Sequence, residues 1–254
     1  MVPATSGPAR LQVIRAVEDG WRAFCRAPWP FMVFTLVVGA LSLVCQAIAS
    51  LNELPEAIRP PLAVLAVAGL VGTLGSWLVN LWGMVGLIRG SWLALEGGRP
   101  DWTTFSRWDG GAAGRLLLRQ LIFALLILAL VVLTVLLGAG VAQLQPLLAL
   151  IPLLAGLLVL GYLLVGQTFL PWLALLSQDG PVESLKLGQQ LVDRQWWWVG
   201  LLLLVQSSIV LLGLLLCGIG LVAAAPVSLC ISTAAYRQLF GSDDRTGLMA
   251  PLKS

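Results

Sequence analysis

The chain has 254 residues, 59% of them apolar and 11% charged, with a net charge of +3 and no histidine. Soluble globular domains carry about a quarter charged residues, so this composition excludes an ordinary water-soluble fold and makes the bilayer the solvent. So small a net charge excludes a nucleic-acid surface, and the missing histidine removes the commonest proton shuttle and metal ligand.

A basic amphipathic segment comes first. Ile14, Val17, Trp21 and Phe24 recur at helical steps, while Arg15, Glu18, Arg22 and Arg26 occupy another face. Such a helix lies flat on anionic headgroups with its arginines outward. Apolar runs then predict membrane helices over 31–50, 62–88, 116–142, 147–176, 196–216 and 221–240, each near or above the roughly 20 residues that a crossing requires. Pro152 and Pro171 predict kinks in the fourth. A second amphipathic connector covers 101–108, with Trp102, Phe105 and Trp108 on one face, and Gly110-Gly111 make a flexible joint to the third span. A third connector starts at Pro181 and runs through Leu185 and Val192 to Arg194. Residues 1–240 therefore read as one all-α domain of six spans, three hairpins each preceded by an interfacial helix, with 241–254 as a short tail.

Charge orients this array. Fourteen of the 15 Lys and Arg residues fall in alternate segments: the N-terminal segment, the second-to-third connection with Arg89, Arg107 and Arg119, the fourth-to-fifth connection with Lys186 and Arg194, and the tail. The other side carries only Arg59, beside Glu53 and Glu56. The positive-inside rule makes both termini cytoplasmic in a bacterial inner membrane, an internal photosynthetic membrane being the alternative address. Trp29, Trp92, Trp102, Trp108, Trp172 and Trp196-Trp197-Trp198 lie at the cytoplasmic ends of spans, where indole rings anchor at headgroup depth. About 30 residues precede the first apolar core, so it reads as a retained span rather than a cleaved signal. Cys25, Cys45, Cys217 and Cys230 form no CxxC and read as small membrane-helix residues; a Cys45–Cys217 disulfide near the outer face is the alternative.

The chain also repeats itself. Trp92-Leu93-Ala94-Leu95 returns 80 positions later as Trp172-Leu173-Ala174-Leu175, each followed by a polar Gly/Pro turn and an amphipathic segment. Duplication and convergence of amphipathic connectors both account for four shared letters in a chain rich in Leu and Ala.

Several stretches together carry a family likeness: Val-Glu-Asp-Gly-Trp-Arg-Ala-Phe-Cys-Arg-Ala-Pro-Trp at 17–29, Gly97-Gly98-Arg99-Pro100 before Trp102 and Phe105, Gly180-Pro181-Val182-Glu183-Ser184-Leu185, and Pro226 with Ala235-Tyr236-Arg237-Gln238-Leu239-Phe240. In these the chain resembles YciC-type uncharacterised bacterial integral membrane proteins, and the membrane domain attached to some glycerophosphodiester phosphodiesterases. The resemblance implies a six-span domain with cytoplasmic amphipathic connectors and no established activity. The phosphodiesterase catalytic domain, with its histidines, has no counterpart in the chain.

No catalytic constellation is legible. The stretch Asp109-Gly110-Gly111-Ala112-Ala113-Gly114-Arg115 resembles the start of the CDP-alcohol phosphotransferase motif but has Gly114 where arginine is required. GxSxG, Walker and HExxH patterns are absent, and no cofactor or metal is expected. The expected role is a non-catalytic scaffold, assembly or accessory subunit. Its partners are membrane lipids and a second protein, in the membrane or the cytoplasm, with Arg15, Arg22, Arg26, Arg107 and Arg194 as contacts. The alternative is a passive or substrate-specific transporter of a small or lipid-like solute, using the intramembrane polar residues Asn80, Gln167 and Gln206. Hydrogen bonding between helices is the competing use of these three side chains.

Overall fold

The computed structural model describes residues 11–53, 55, 60–143, 145–177, 180–216, 218–242, 244 and 246–249. Arg10, Glu56, Arg59, Asp179, Arg245, Lys253 and the alternative disulfide partner Cys217 lie outside the described residues. Among the described residues all regular structure is helical: α1 (Val13–Arg26), α2 (Pro28–Ala49), α3 (Leu62–Leu95), α4 (Trp102–Ser106), α5 (Gly110–Ala142), α6 (Leu150–Gly166), α7 (Leu170–Leu176), α8 (Pro181–Asp193), α9 (Trp196–Leu215) and α10 (Leu221–Phe240). Short 3-10 turns occupy Ser50–Glu53 and Pro146–Ala149. Five segments are long and apolar enough to cross a membrane: Pro28–Ala49, Leu62–Leu95, Gly110–Ala142, Leu147–Leu176 and Trp196–Leu215. The expected sixth, α10, is a helix of 20 residues but is not among the five, because Ser228, Ser232, Thr233, Arg237 and Gln238 dilute its apolar residues.

Several helices depart from the expected limits. α3 continues past Ile88 through Arg89 to Leu95, and α5 starts at Gly110 rather than at 116. Asp109 accepts a hydrogen bond from Ala112 N at 2.9 Å. That cap converts the expected flexible joint at Gly110-Gly111 into the first turn of a helix. The fourth apolar run is divided into α6 and α7, with 167–169 between them. The break falls just before Pro171, which has no N–H to continue the ladder. Pro152 lies in the first turn of α6, where no interior bond is lost, and the helix passes through it. The second connector is also shorter than expected. α4 has 5 residues, so Trp108 lies outside the helix; Phe105 is fully buried while Trp108 is 52% exposed.

The chain packs as two compact units. One holds Ile14–Ala113 and Gln206–Ala234. Within it α2 and α3 form an antiparallel hairpin, with Gly72 facing Cys45 and Ala49, and Gly83 facing Val38. At Gly72 a Cβ would stand 2.5 Å from both Cys45 O and Ala49 N, so only glycine permits this backbone approach. Phe34 packs against Trp82 and Phe105 at ring-centroid distances of 4.9 and 5.3 Å. α10 is held by hydrogen bonds: Gln206 Nε2 donates to Ser232 Oγ at 2.7 Å, and the Ser91 and Thr233 hydroxyls meet at 2.7 Å. A helix enclosed by other helices has little lipid to face, which accounts for the lower hydropathy of α10. α1 packs on it through Gly20, whose missing Cβ would stand 2.6 Å from Ile231 Cα. Consequently the expected apolar face of α1 divides: Phe24 is buried on the protein with Ala16 and Ala23, whereas Ile14 and Trp21 are 75% and 54% exposed.

The other unit holds Gly114–Val205 and Ala235–Ala250. Here α5 meets α6 where Thr134 faces Gly156, beside an apolar cavity of about 200 Å³ bordered by Leu130, Leu153 and Leu160. Phe169 and Phe240 pack at 5.8 Å and Tyr236 stacks on Phe240 at 4.7 Å. The tail adds a compact turn. Asp244 accepts from the backbone N–H groups of Thr246, Gly247 and Met249 at 2.9, 3.0 and 2.7 Å, and Leu248 is buried.

Candidate functional site

The two copies of Trp-Leu-Ala-Leu close α3 and α7, and each solves the same problem, since a helix end leaves carbonyls without partners. At the end of α3, Gly97 turns the chain with φ 94°. Gly97 N then donates to Ala94 O at 3.1 Å and Gly98 N to Leu93 O at 3.0 Å, a Schellman closure. Arg26 Nη1 also donates to Ala94 O. The end of α7 has no glycine turn; Ser177 N donates to Leu173 O at 3.1 Å, and side chains supply the remaining donors. Arg119 donates to Leu173 O at 2.5 Å and Ser177 O at 3.4 Å, and Thr246 Oγ1 donates to Leu175 O at 2.7 Å. Trp92 and Trp172 are 2% and 3% exposed, so these two indoles are core residues rather than the headgroup anchors expected of them. Trp92 Nε1 donates to Glu96 Oε1 at 2.9 Å. Trp29, Trp102, Trp108 and Trp197 are exposed, as anchors require.

The arginines differ in exposure. Arg15, Arg22, Arg26, Arg107 and Arg194 are exposed. Arg22 faces Glu18 and Asp19 at 3.7 Å each, and Arg26, itself exposed, is tied through Nη1 to the α3 end. Arg89 and Arg119, which the charge pattern assigned to connecting segments, are instead 6% and 3% exposed. Arg89 Nη1 donates to Arg107 O at 3.0 Å and Thr104 O at 3.4 Å, while Trp82 Nε1 donates to Ser106 O at 3.0 Å. One face of α3 thus holds the C-terminal carbonyls of α4. The signal in the sequence is their spacing: Trp82 and Arg89 are seven residues, or about two helical turns, apart. At the other end of α4, Asp101 Oδ1 accepts from Thr104 Oγ1 at 2.7 Å and Thr104 N at 3.0 Å, and Thr103 Oγ1 donates to the same carboxylate at 2.9 Å. These donors, the Thr104 hydroxyl foremost, hold the Asp101 carboxyl below its usual range.

The three intramembrane polar residues have separate fates. Gln206 Nε2 bonds Ser232 Oγ and Ser228 O, joining α9 to α10. Gln167 Nε2 bonds Leu185 O at 3.1 Å and Gln189 Oε1 at 3.4 Å, joining the α6 break to α8. Asn80 is exposed and returns its amide to Ser76 O of its own helix at 2.7 Å. A groove of about 520 Å³ runs along Trp196, Trp197, Trp198, Gly200, Leu201 and Leu204, and neither it nor the α5–α6 cavity is lined by Asn80, Gln167 or Gln206. Among the described residues no group of three His, Cys, Asp or Glu is placed to hold a metal ion, and Cys25, Cys45 and Cys230 are free thiols. Comparison of the chain with protein-family models, with curated proteins and with solved structures finds no match.

Proposed function

We propose that this chain is a non-catalytic integral membrane scaffold, an assembly or accessory subunit that engages lipid headgroups and a partner protein. One observation carries the reading: two of the three intramembrane polar residues, Gln167 and Gln206, bond neighbouring helices, while exposed arginines and indoles stand at helix ends. Polar groups used in this way fasten helices together. Cationic and aromatic groups at helix ends suit a headgroup layer.

In this proposal α10 is the sixth crossing, enclosed by its neighbours, and the spans form three hairpins behind α1, α4 and α8. Both termini are cytoplasmic, the membrane is the bacterial inner membrane, and the likeness to YciC-type proteins is one of kinship. Purification of the full chain in mild detergent tests the role: recovery of a stoichiometric partner protein or retained lipid is the expected result. Isolation of a lone, lipid-free monomer would overturn it, as would saturable solute flux in reconstituted vesicles that is lost on Asn80→Leu or Gln167→Leu.

A further inference from the structure

Among the described residues Arg89 is a buried arginine with a large part of its guanidinium unused. Its Nη1 is spent on Thr104 O and Arg107 O, whereas Nε and Nη2 are buried without a hydrogen-bond partner. Those two atoms form the edge of a guanidinium that binds a carboxylate or phosphate through two parallel bonds. Two charges act on Arg89 from nearby, Arg107 and Asp109. Arg107 repels it. Asp109 attracts it from a distance while its Oδ1 accepts from Ala112 N at 2.9 Å, and among the described residues no carboxylate forms an ion pair with Arg89. A desolvated cation beside a second cation, with one edge unsatisfied, is not neutralised by a carboxylate in contact with it.

The depth of this edge points to the missing group. The 34 residues of α3 exceed the length of a crossing. About 20 of them span the hydrocarbon, and an equal division of the rest leaves about 7 beyond each boundary, which sets Arg89 at the inner one. Trp102, at the start of α4, and Trp108, next to Arg107 in the chain, are exposed, as interfacial indoles are.

We infer that Arg89 and Arg107 form a binding site for a phosphate group, held through the Arg89 Nε–Nη2 edge and covered by the Arg107 side chain. The inference deepens the scaffold reading and rests on its premise that the chain meets headgroups at this end. Native mass spectrometry of the full chain, released from detergent after incubation with phosphatidylglycerol, tests it. The wild type is expected to retain one lipid that Arg107→Gln, a change at an exposed residue, holds about 10-fold more weakly. Arg89→Lys, which keeps the charge and loses the two-donor edge, should weaken it by a similar factor. Inorganic phosphate at equal phosphate concentration distinguishes the sources: failure to displace the lipid assigns the site to a headgroup, and displacement assigns it to free phosphate. Equal lipid retention by both variants and the wild type would overturn the site. So would loss of thermal stability on Asp109→Asn as large as on Arg89→Gln with no dependence on lipid, because Asp109 would then be the counterion. Either failure leaves a co-purifying partner protein untouched, so the scaffold reading stands or falls separately.

Discussion

The α2–α3 hairpin and the hairpin of α5 with α6 and α7 end in the same four residues and close them by opposite means. At Leu95 the backbone does the work through Gly97 and Gly98, and the arginine that reaches Ala94 O is exposed. Past Leu176 the next glycine, Gly180, is too far on to close the helix end, so buried Arg119 and the tail residue Thr246 supply donors beside Ser177 N. The hairpins differ again where their helices touch. Gly72 meets the backbone of α2, while Gly156 meets only the side chain of Thr134. The comparison teaches that a shared sequence motif specifies the problem, a helix end that must be capped in a crowded place, and that the residues outside the motif decide the solution.

The largest break in this parallel comes from the arginines. Arg119→Leu removes a buried cationic donor from Leu173 O, which keeps its bond from Ser177 N at 3.1 Å, and from Ser177 O, and should cost about 3 kcal/mol, the upper worth of hydrogen bonds to a charged group. Arg26→Leu should cost under about 1 kcal/mol, because Gly97 N already serves Ala94 O. Thermal unfolding of both variants in mild detergent measures the difference, and equal losses would mean that the two ends are capped alike. Next in size, Gly72→Ala places a methyl 2.5 Å from two backbone atoms and should cost about 2 kcal/mol through separation of α2 from α3. Gly156→Ala meets Thr134 Cγ2 and Oγ1 at 2.4 Å, a side chain that Thr134→Ala removes. The double variant should therefore recover most of the stability that Gly156→Ala loses, whereas no single side-chain deletion rescues Gly72→Ala.

Hydropathy made most of this architecture legible, because a run of apolar residues has few fates other than a membrane helix. The helical connectors at 102–106 and 181–193 were legible for the same reason, through amphipathic period and capping residues. What escaped was where polar side chains end up. Arg89 and Arg119 count as charges outside the bilayer on any hydropathy scale, yet each is buried because carbonyls at another helix end accept its protons. No local pattern announces a partner 54 residues away, as Leu173 is from Arg119. Helix α1 misled in a related way: Ile14, Val17, Trp21 and Phe24 form one stripe by period, but the small residues Ala16, Gly20 and Ala23 decide which side packs. Asp244 and Thr246, in what read as a plain tail, gave no signal beyond a turn-forming composition.

The amides inside the spans separate by a smaller margin. Gln206→Leu removes the bonds to Ser228 and Ser232 and should cost about 0.6–2 kcal/mol, the usual worth of such a contact in a membrane. Asn80→Leu should be nearly neutral to stability, because its amide serves only its own helix on an exposed face. Unfolding in detergent compares them, and a destabilising Asn80→Leu would point to a contact made only in an assembly.

The smallest expected effect contrasts the starts of α4 and α8. α8 begins after Gly180, which has no side chain to cap it, and Glu183 reaches back to Gly180 N at 3.3 Å. α4 begins at Asp101, whose carboxyl its threonine donors hold below the ordinary range. A carboxyl lowered in the folded state contributes stability above its unfolded value of about 3.9, and that contribution disappears as pH falls through the lower folded value. Hydrogen exchange at the Thr104 amide should therefore lose protection as pH falls below about 4, once intrinsic exchange is corrected. Asn caps a helix nearly as well as Asp but does not titrate. Asp101→Asn should keep the protection and flatten its pH profile, and an unchanged profile in that variant would assign the transition to a different group.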